Sequence, residues 1–212
     1  VSLSRGGEVI ALKELNEGKF SHAEKLHVFI RELFQESGIS MHDLHAIAIS
    51  KGPGSYTGLR IGVSAAKGLC YALEKPLISV PTLQIMALQV PCLKNELVVP
   101  LLDARRMEVY SAVFDHDYHQ TRETMAEIID EKSFESILNK GVVHIAGDGA
   151  QKCVGMINHV NVRFLPDIYP SAREMAIVSD LKLKEADFED VAYFEPYYLK
   201  DFVAGKPKKF FN

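Results

Sequence analysis

The residues best suited to chemistry lie in one run, Ser50-Lys51-Gly52-Pro53-Gly54-Ser55-Tyr56-Thr57-Gly58-Leu59-Arg60. It follows an apolar segment and opens a helical pattern. Glycines beside the unpaired amides of a helix start can hold an anion, so Gly52, Gly54, Ser55, Thr57 and Gly58 form a candidate phosphate or nucleotide loop. It is not a Walker A loop, because no Lys-Ser/Thr pair follows Gly58, and Thr57 stands where a dinucleotide fingerprint needs its third glycine. Phosphate binding and a tight strand-to-helix turn both fit these residues. Asp103, Arg105, Arg106 and Glu108 fall at a hairpin-like turn, where Asp103 could act as a base and the arginines as anion clamps. On the residues alone, a turn with ordinary surface charges and hydrogen bonds within it is the favoured reading. Gly147 and Gly149 mark a third turn, again from strand toward helix.

Other chemistries find little support. Cys70, Cys92 and Cys153 form no CxxC pair, which argues for a reducing compartment and against a disulfide framework or structural zinc. Cys70 and Cys153 read as small core residues. His22 and His27 are five residues apart, about 140° around a helix, so they read as core or interface histidines and not as a metal pair. No Ser-His-Asp set can be assigned. The net charge of −4 argues against a chain that grips RNA by itself, and the cluster Lys206, Lys208 and Lys209 reads as a solvated tail.

These residues need elements to position them. Residues 1–4 and 8–14 read as strands joined by the turn Arg5-Gly6-Gly7. Ser21 and Glu24 form a capping box for a helix with Leu26, Phe29, Ile30, Leu33 and Phe34 on one face, closed by Gly38. Strands follow at 44–50 and 76–81, on either side of a long helix over 56–73; a helix starts at 82–88. The stretch 91–96 breaks the pattern and marks a domain boundary. Beyond it come strands at 97–103, 108–114, 124–130 and 142–146, helices at 131–138 and 171–185, and a helix entered near Gln151. An extended aromatic tail spans 193–199. Both halves place strands first and then a strand, a glycine loop and a helix, which suggests two related α/β domains.

The helix over 56–73 has an unusually wide apolar arc. Gly58, Gly62, Ala65, Leu69 and Ala72 form a stripe of mostly small residues; Leu59, Val63, Ala66, Cys70 and Leu73 extend the arc around a second side. Such a helix is either enclosed between its own sheet and a neighbouring helix, or meets another subunit with part of the arc. The 212 residues, 47% hydrophobic and 25% charged, suit a soluble globular chain. No apolar run is long enough to cross a membrane, and residues 1–5 are no secretory signal. The chain opens inside a strand-like pattern, so a preceding piece is expected to be missing.

The stretches 21–26, 52–62, 65–69, 80–83, 103–110 and 195–199 together resemble the TsaB (YeaZ) family over nearly the whole chain. The resemblance implies the actin-like superfold of sugar kinases and heat-shock chaperones. Its two related domains would be residues 1–92, lacking the first strand, and 93–212. It further implies a cytoplasmic, non-catalytic subunit that pairs with a catalytic paralogue, TsaD, works with the ATPase TsaE, and meets tRNA only through the complex. That complex makes threonylcarbamoyladenosine beside the anticodon. The expected partner face is His22, Leu26, Phe29, Leu33, Gly58, Gly62, Ala65, Leu69 and Ala72, which would also serve a homodimer. Asp103, Arg105, Arg106, Gly147 and Gly149 would line a cleft, and ATP or ADP would sit at the partner interface. No metal is expected. The alternative is a nucleotide-hydrolysing or kinase-like enzyme of the same superfold. It would need a second phosphate loop, which Asp103-Ala104-Arg105 lacks the glycines to form.

Overall fold

The computed structural model describes residues 1–16 and 22–200, with the His22 side chain excepted. The Ser21 cap and the Lys206–Lys209 cluster therefore lie outside the described residues. The chain is mixed α/β. Strands β1 (Ser2–Arg5) and β2 (Glu8–Leu12) form an antiparallel hairpin. Gly6 and Gly7 both take positive φ, +60° and +83°, which a two-residue hairpin turn demands and glycine supplies without strain. Helix α1 (His22–Ser37) ends at Gly38, whose φ of +68° reverses the chain. After a short 3-10 turn, β3 (Ile47–Gly52) leads through the glycine loop into α2 (Tyr56–Leu73) and then β4 (Leu77–Pro81), parallel to β3. Helix α3 (Thr82–Ala87) follows directly.

The second half carries one five-stranded sheet. It contains β5 (Leu97–Asp103), β6 (Glu108–Phe114), β7 (Gln120–Ile128), β8 (Val143–Ala146) and β9 (Val162–Leu165), in the order β7-β6-β5-β8-β9. β5, β6 and β7 are antiparallel neighbours; β8 and β9 run parallel to β5. The short α4 (Glu135–Leu138) lies between β7 and β8, and α5 (Met175–Glu185) closes the helical part. The first half echoes this order with an antiparallel pair, a helix and a parallel pair. There, however, the pairs are two separate two-stranded sheets: among the described residues β1 pairs only with β2, and β3 only with β4.

Three sequence expectations change. The segment after β8 is a 3-10 turn, Asp148–Lys152, and not a helix, because Gly147 and Gly149 pack it directly onto β5. Strand β9 has no counterpart among the expected elements: four residues with Arg163 in the middle give too little alternation. The third strand of the second half starts at Gln120, earlier than residue 124.

The core runs through both halves. Leu83, Met86, Ala87 and Val90, in and just after α3, pack on Val98, Ala112 and Phe114 of the five-stranded sheet. Val178, Met175 and Leu183 of α5 return to pack on Ile78 and Val80 of β4. Each sheet is thus covered by a helix from the other half of the sequence. No helix among the described residues is long and apolar enough to cross a membrane.

Candidate functional site

The glycine loop sits at the C-terminal end of β3, where open α/β sheets usually present ligand-binding groups. Ser55 caps α2: its Oγ accepts from the Gly58 amide at 3.4 Å, and its carbonyl accepts from the Leu59 amide at 2.8 Å. Ser50 Oγ meets Thr82 Oγ1 at 2.7 Å, tying the loop to the start of α3. Gly52 has φ +108°, and a Cβ there would lie 2.9 Å from the Tyr197 carbonyl. The aromatic tail therefore runs directly over the loop. The Tyr197 amide donates to the Lys51 carbonyl at 2.7 Å, and the Tyr198 ring lies 5.0 Å from that of Tyr56. Lys67 of α2 donates to the carbonyls of Ala192 and Phe194, both at 3.1 Å.

The tail then reaches the second half, where Lys200 pairs with the Glu108 carboxylate and its Nζ lies over the Tyr110 ring. Beside it is the β5–β6 turn. Asp103 accepts from Lys152 Nζ at 2.8 Å and from the Arg105 amide at 2.5 Å, while its own amide donates to Asp148 at 3.0 Å. Partial burial works to raise the Asp103 pKa, but the Lys152 and Arg105 hydrogen bonds and charges outweigh it and hold the carboxyl below its ordinary value. A carboxylate held ionised by a lysine is a weak base, so the turn fits a structural ion pair better than general-base chemistry. Arg105 and Arg106 project at positive φ, +72° and +53°, and both are exposed.

Gly147 and Gly149 do not line open space. A Cβ on Gly147 would lie 2.3 Å from both the Leu101 carbonyl oxygen and Met86 Cε; one on Gly149 would lie 2.9 Å from Leu101 Cβ. Both glycines serve close packing against β5. Burial pushes the Cys70 thiol up to about 11 and Cys153 to about 12, which makes them inert core groups. Among the described residues no three His, Cys, Asp or Glu side chains gather as a metal site.

A concavity of a different kind lies elsewhere. An apolar groove of about 740 Å³ runs between α1 and α2, walled by Ile30, Ile61, Ala65, Gly68 and Leu69, with Met41 at one end. His27, Arg31 and Arg60 stand along it, all exposed. Of the residues expected at a partner face, Ala65 and Leu69 line this groove. Leu33 is 2% exposed and belongs to the interior. Gly62 faces β3, where an added Cβ would lie 3.2 Å from Ile49 Cδ1. Gly58 faces Ser55 of its own cap. Leu26 and Phe29 are half-buried, and Ala72 is exposed near the helix end. None of these three lines the groove. The arc of α2 is therefore divided: Val63, Ala66 and Cys70 face the protein's own core, while a second flank remains open. Sequence periodicity found the arc, but it placed the stripe on Gly62 where the open flank holds Ile61 and Gly68.

The family model described as "TsaD: tRNA N6-adenosine threonylcarbamoyltransferase" matches residues 17–208. The Escherichia coli K12 protein named "tRNA threonylcarbamoyladenosine biosynthesis protein TsaB" is 32% identical over 194 residues, covering 87% of this chain and 83% of that protein. The tRNA N6-adenosine threonylcarbamoyltransferase of Ruegeria pomeroyi is 42% identical, but over 82 residues only, 39% of this chain and 22% of that enzyme. In fold, the chain is similar to YeaZ from Pseudomonas aeruginosa, with a TM-score of 0.74 over 93% of this chain and 92% of that one, at 22% identity.

Proposed function

Since the chain belongs to the TsaB (YeaZ) family, whose members are named for threonylcarbamoyladenosine biosynthesis in tRNA, we propose that it is a non-catalytic, cytoplasmic subunit docking on a TsaD-like catalytic paralogue. The observation that carries this reading is the open apolar flank of α2. A groove walled by Ile30, Ile61, Ala65 and Leu69 exposes apolar surface that a monomer leaves wet, and a helix-bearing partner would bury it. Chemistry on this chain alone has little to work with: the glycine loop is spanned by the tail, Ser55 is engaged as a cap, and Asp103 is neutralised by Lys152.

The reading extends to the assembly. A TsaE-like ATPase would join the pair, tRNA would be met through the complex beside its anticodon, and ATP or ADP would be held at the junction with the partner. In the absence of the paralogue the same flank would pair two copies. We also read the two strand groups as related actin-like domains, residues 1–92 and 93–212. The repeated order of antiparallel pair, helix and parallel pair supports this, although α5 packs back onto the first group.

Gly68→Trp tests the docking face. A Cβ at Gly68 meets nothing within 4 Å, so the ring can fill the groove without disturbing the fold. Replacing a mid-helix glycine by tryptophan should stabilise the monomer by a few tenths of a kcal/mol, about 0.5 kcal/mol at most. The expected result is an unchanged or raised melting temperature with at least about tenfold weaker binding to the TsaD-like paralogue in titration calorimetry. Wild-type affinity in this variant would refute the docking face.

A further inference from the structure

A further hollow opens in the second half, at the end of the five-stranded sheet opposite the Asp103 turn. It encloses about 390 Å³, within the range of small-molecule pockets. Its walls are residues 94–97 entering β5, Asp115 and His116 leaving β6, Ile137 of α4, and residues 140–142 entering β8. The Leu97 amide donates to the Val142 carbonyl at 3.0 Å, and a Cβ on Gly141 would lie 3.1 Å from the Asn95 carbonyl. These two walls therefore meet side by side, and Lys94 and Lys140, each next to a joined residue, stand on one rim. The acids are committed within the chain. Glu96 Oε2 accepts from the Leu93 amide at 3.0 Å and meets His144 Nε2 at 2.9 Å; the His144 and Leu93 bonds hold its carboxyl below the ordinary value. Asp115 Oδ1 accepts from the Asp117 and His119 amides at 3.0 and 2.8 Å, and its Oδ2 lies 3.7 Å from His119 Nδ1. His116 Nε2 lies 3.3 Å from the Asp117 carboxylate. The amino groups of Lys94 and Lys140, by contrast, make no ion pair or hydrogen bond among the described residues. Leu97 and Ile137, both packed on the core, and the half-buried Val142 supply an apolar floor.

We infer that this hollow binds a small organic oxyanion, with its charged head between Lys94 and Lys140 and a short apolar body over Leu97, Ile137 and Val142. The two lysines are the unmatched charge in a hollow whose acids are already engaged. A phosphate or carboxylate head that takes up both amino groups forms charge-assisted hydrogen bonds, the stronger kind. The apolar floor adds affinity that a bare inorganic ion cannot draw on, because only a ligand with a hydrocarbon body removes that surface from water. The site lies on the second half, apart from the groove between α1 and α2, and stands or falls independently of the docking role.

The test follows the amide resonances of the full chain at low salt during titration with butyl phosphate, pentanoate, inorganic phosphate and butanol. Saturable shifts at residues 94–97, 115–116 and 137–142 are expected with butyl phosphate, pentanoate or both, and the tighter of the two identifies the head. Butyl phosphate should bind at least about tenfold more tightly than inorganic phosphate, and butanol should not saturate. Lys94→Gln with Lys140→Gln should weaken binding of the preferred anion at least about tenfold, while Lys94→Arg with Lys140→Arg keeps it within about threefold. Both variants should keep the wild-type circular dichroism, since the two amino groups hold nothing within the chain. The inference is overturned if neither organic anion gives saturable shifts at these residues by about 10 mM. Equal affinity for butyl phosphate and inorganic phosphate, or unchanged affinity in the Gln variant, overturns it as well.

Discussion

Of the described glycines, Gly147 leaves the least room for a side chain. It combines φ +108° and ψ 174°, a region that only glycine enters readily, with a strand carbonyl 2.3 Å from where a Cβ would stand. Gly147→Ala should destabilise the fold by about 2–4 kcal/mol, read as a lowered midpoint in urea. An unchanged midpoint would show that β8 and β5 can separate at that point without cost. The hairpin glycine Gly6 is less crowded, since a Cβ there meets nothing within 4 Å. The sequence marks Gly147 and Gly149 as turn glycines, but assigns them to a cleft. Only the packing against Leu101 reveals that they are spacers between strands.

The elements themselves were largely legible. Helix α2 announces its start through Ser55 and its length through an unbroken apolar arc, and β5 and β6 announce themselves by apolar runs on either side of a polar turn. The tail is the opposite case. Its aromatic residues were visible, but its seat was not, because the bond between the Tyr197 amide and the Lys51 carbonyl joins distant parts of the chain through backbone groups common to every residue. That seat depends on Gly52. Gly52→Ala would put a methyl group 2.9 Å from the Tyr197 carbonyl in a backbone conformation that disfavours side chains. The tail should then lift, seen as faster hydrogen exchange at the Tyr197 amide with little change in the α5 amides. Unaltered protection at Tyr197 would mean the loop absorbs the methyl group locally.

The exchange of covering helices governs the molecule as a whole. Since α3 lies on the second sheet and α5 on the first strands, each half loses part of its covering when the other unfolds, although α2 and α4 stay on their own sheets. Heating should therefore give one transition, with calorimetric and van't Hoff enthalpies equal. Two resolved transitions would mean the halves stand independently despite the crossing. Sequence periodicity could propose two halves from their repeated order, but it could not say which helix roofs which sheet. That depends on contacts formed only after the chain has doubled back.

Among the described residues β1 pairs only with β2 and β3 only with β4, which bears on how association of this chain is interpreted. A strand flank with no ladder partner attracts any extended polypeptide, including the same strand of a neighbouring molecule. Concentrated protein thus has a route to clustering through main-chain zippering, quite apart from helix docking. Oligomers that persist when the helical groove is plugged belong to that route. Infrared amide bands, sensitive to intermolecular strands, would tell the two kinds of particle apart.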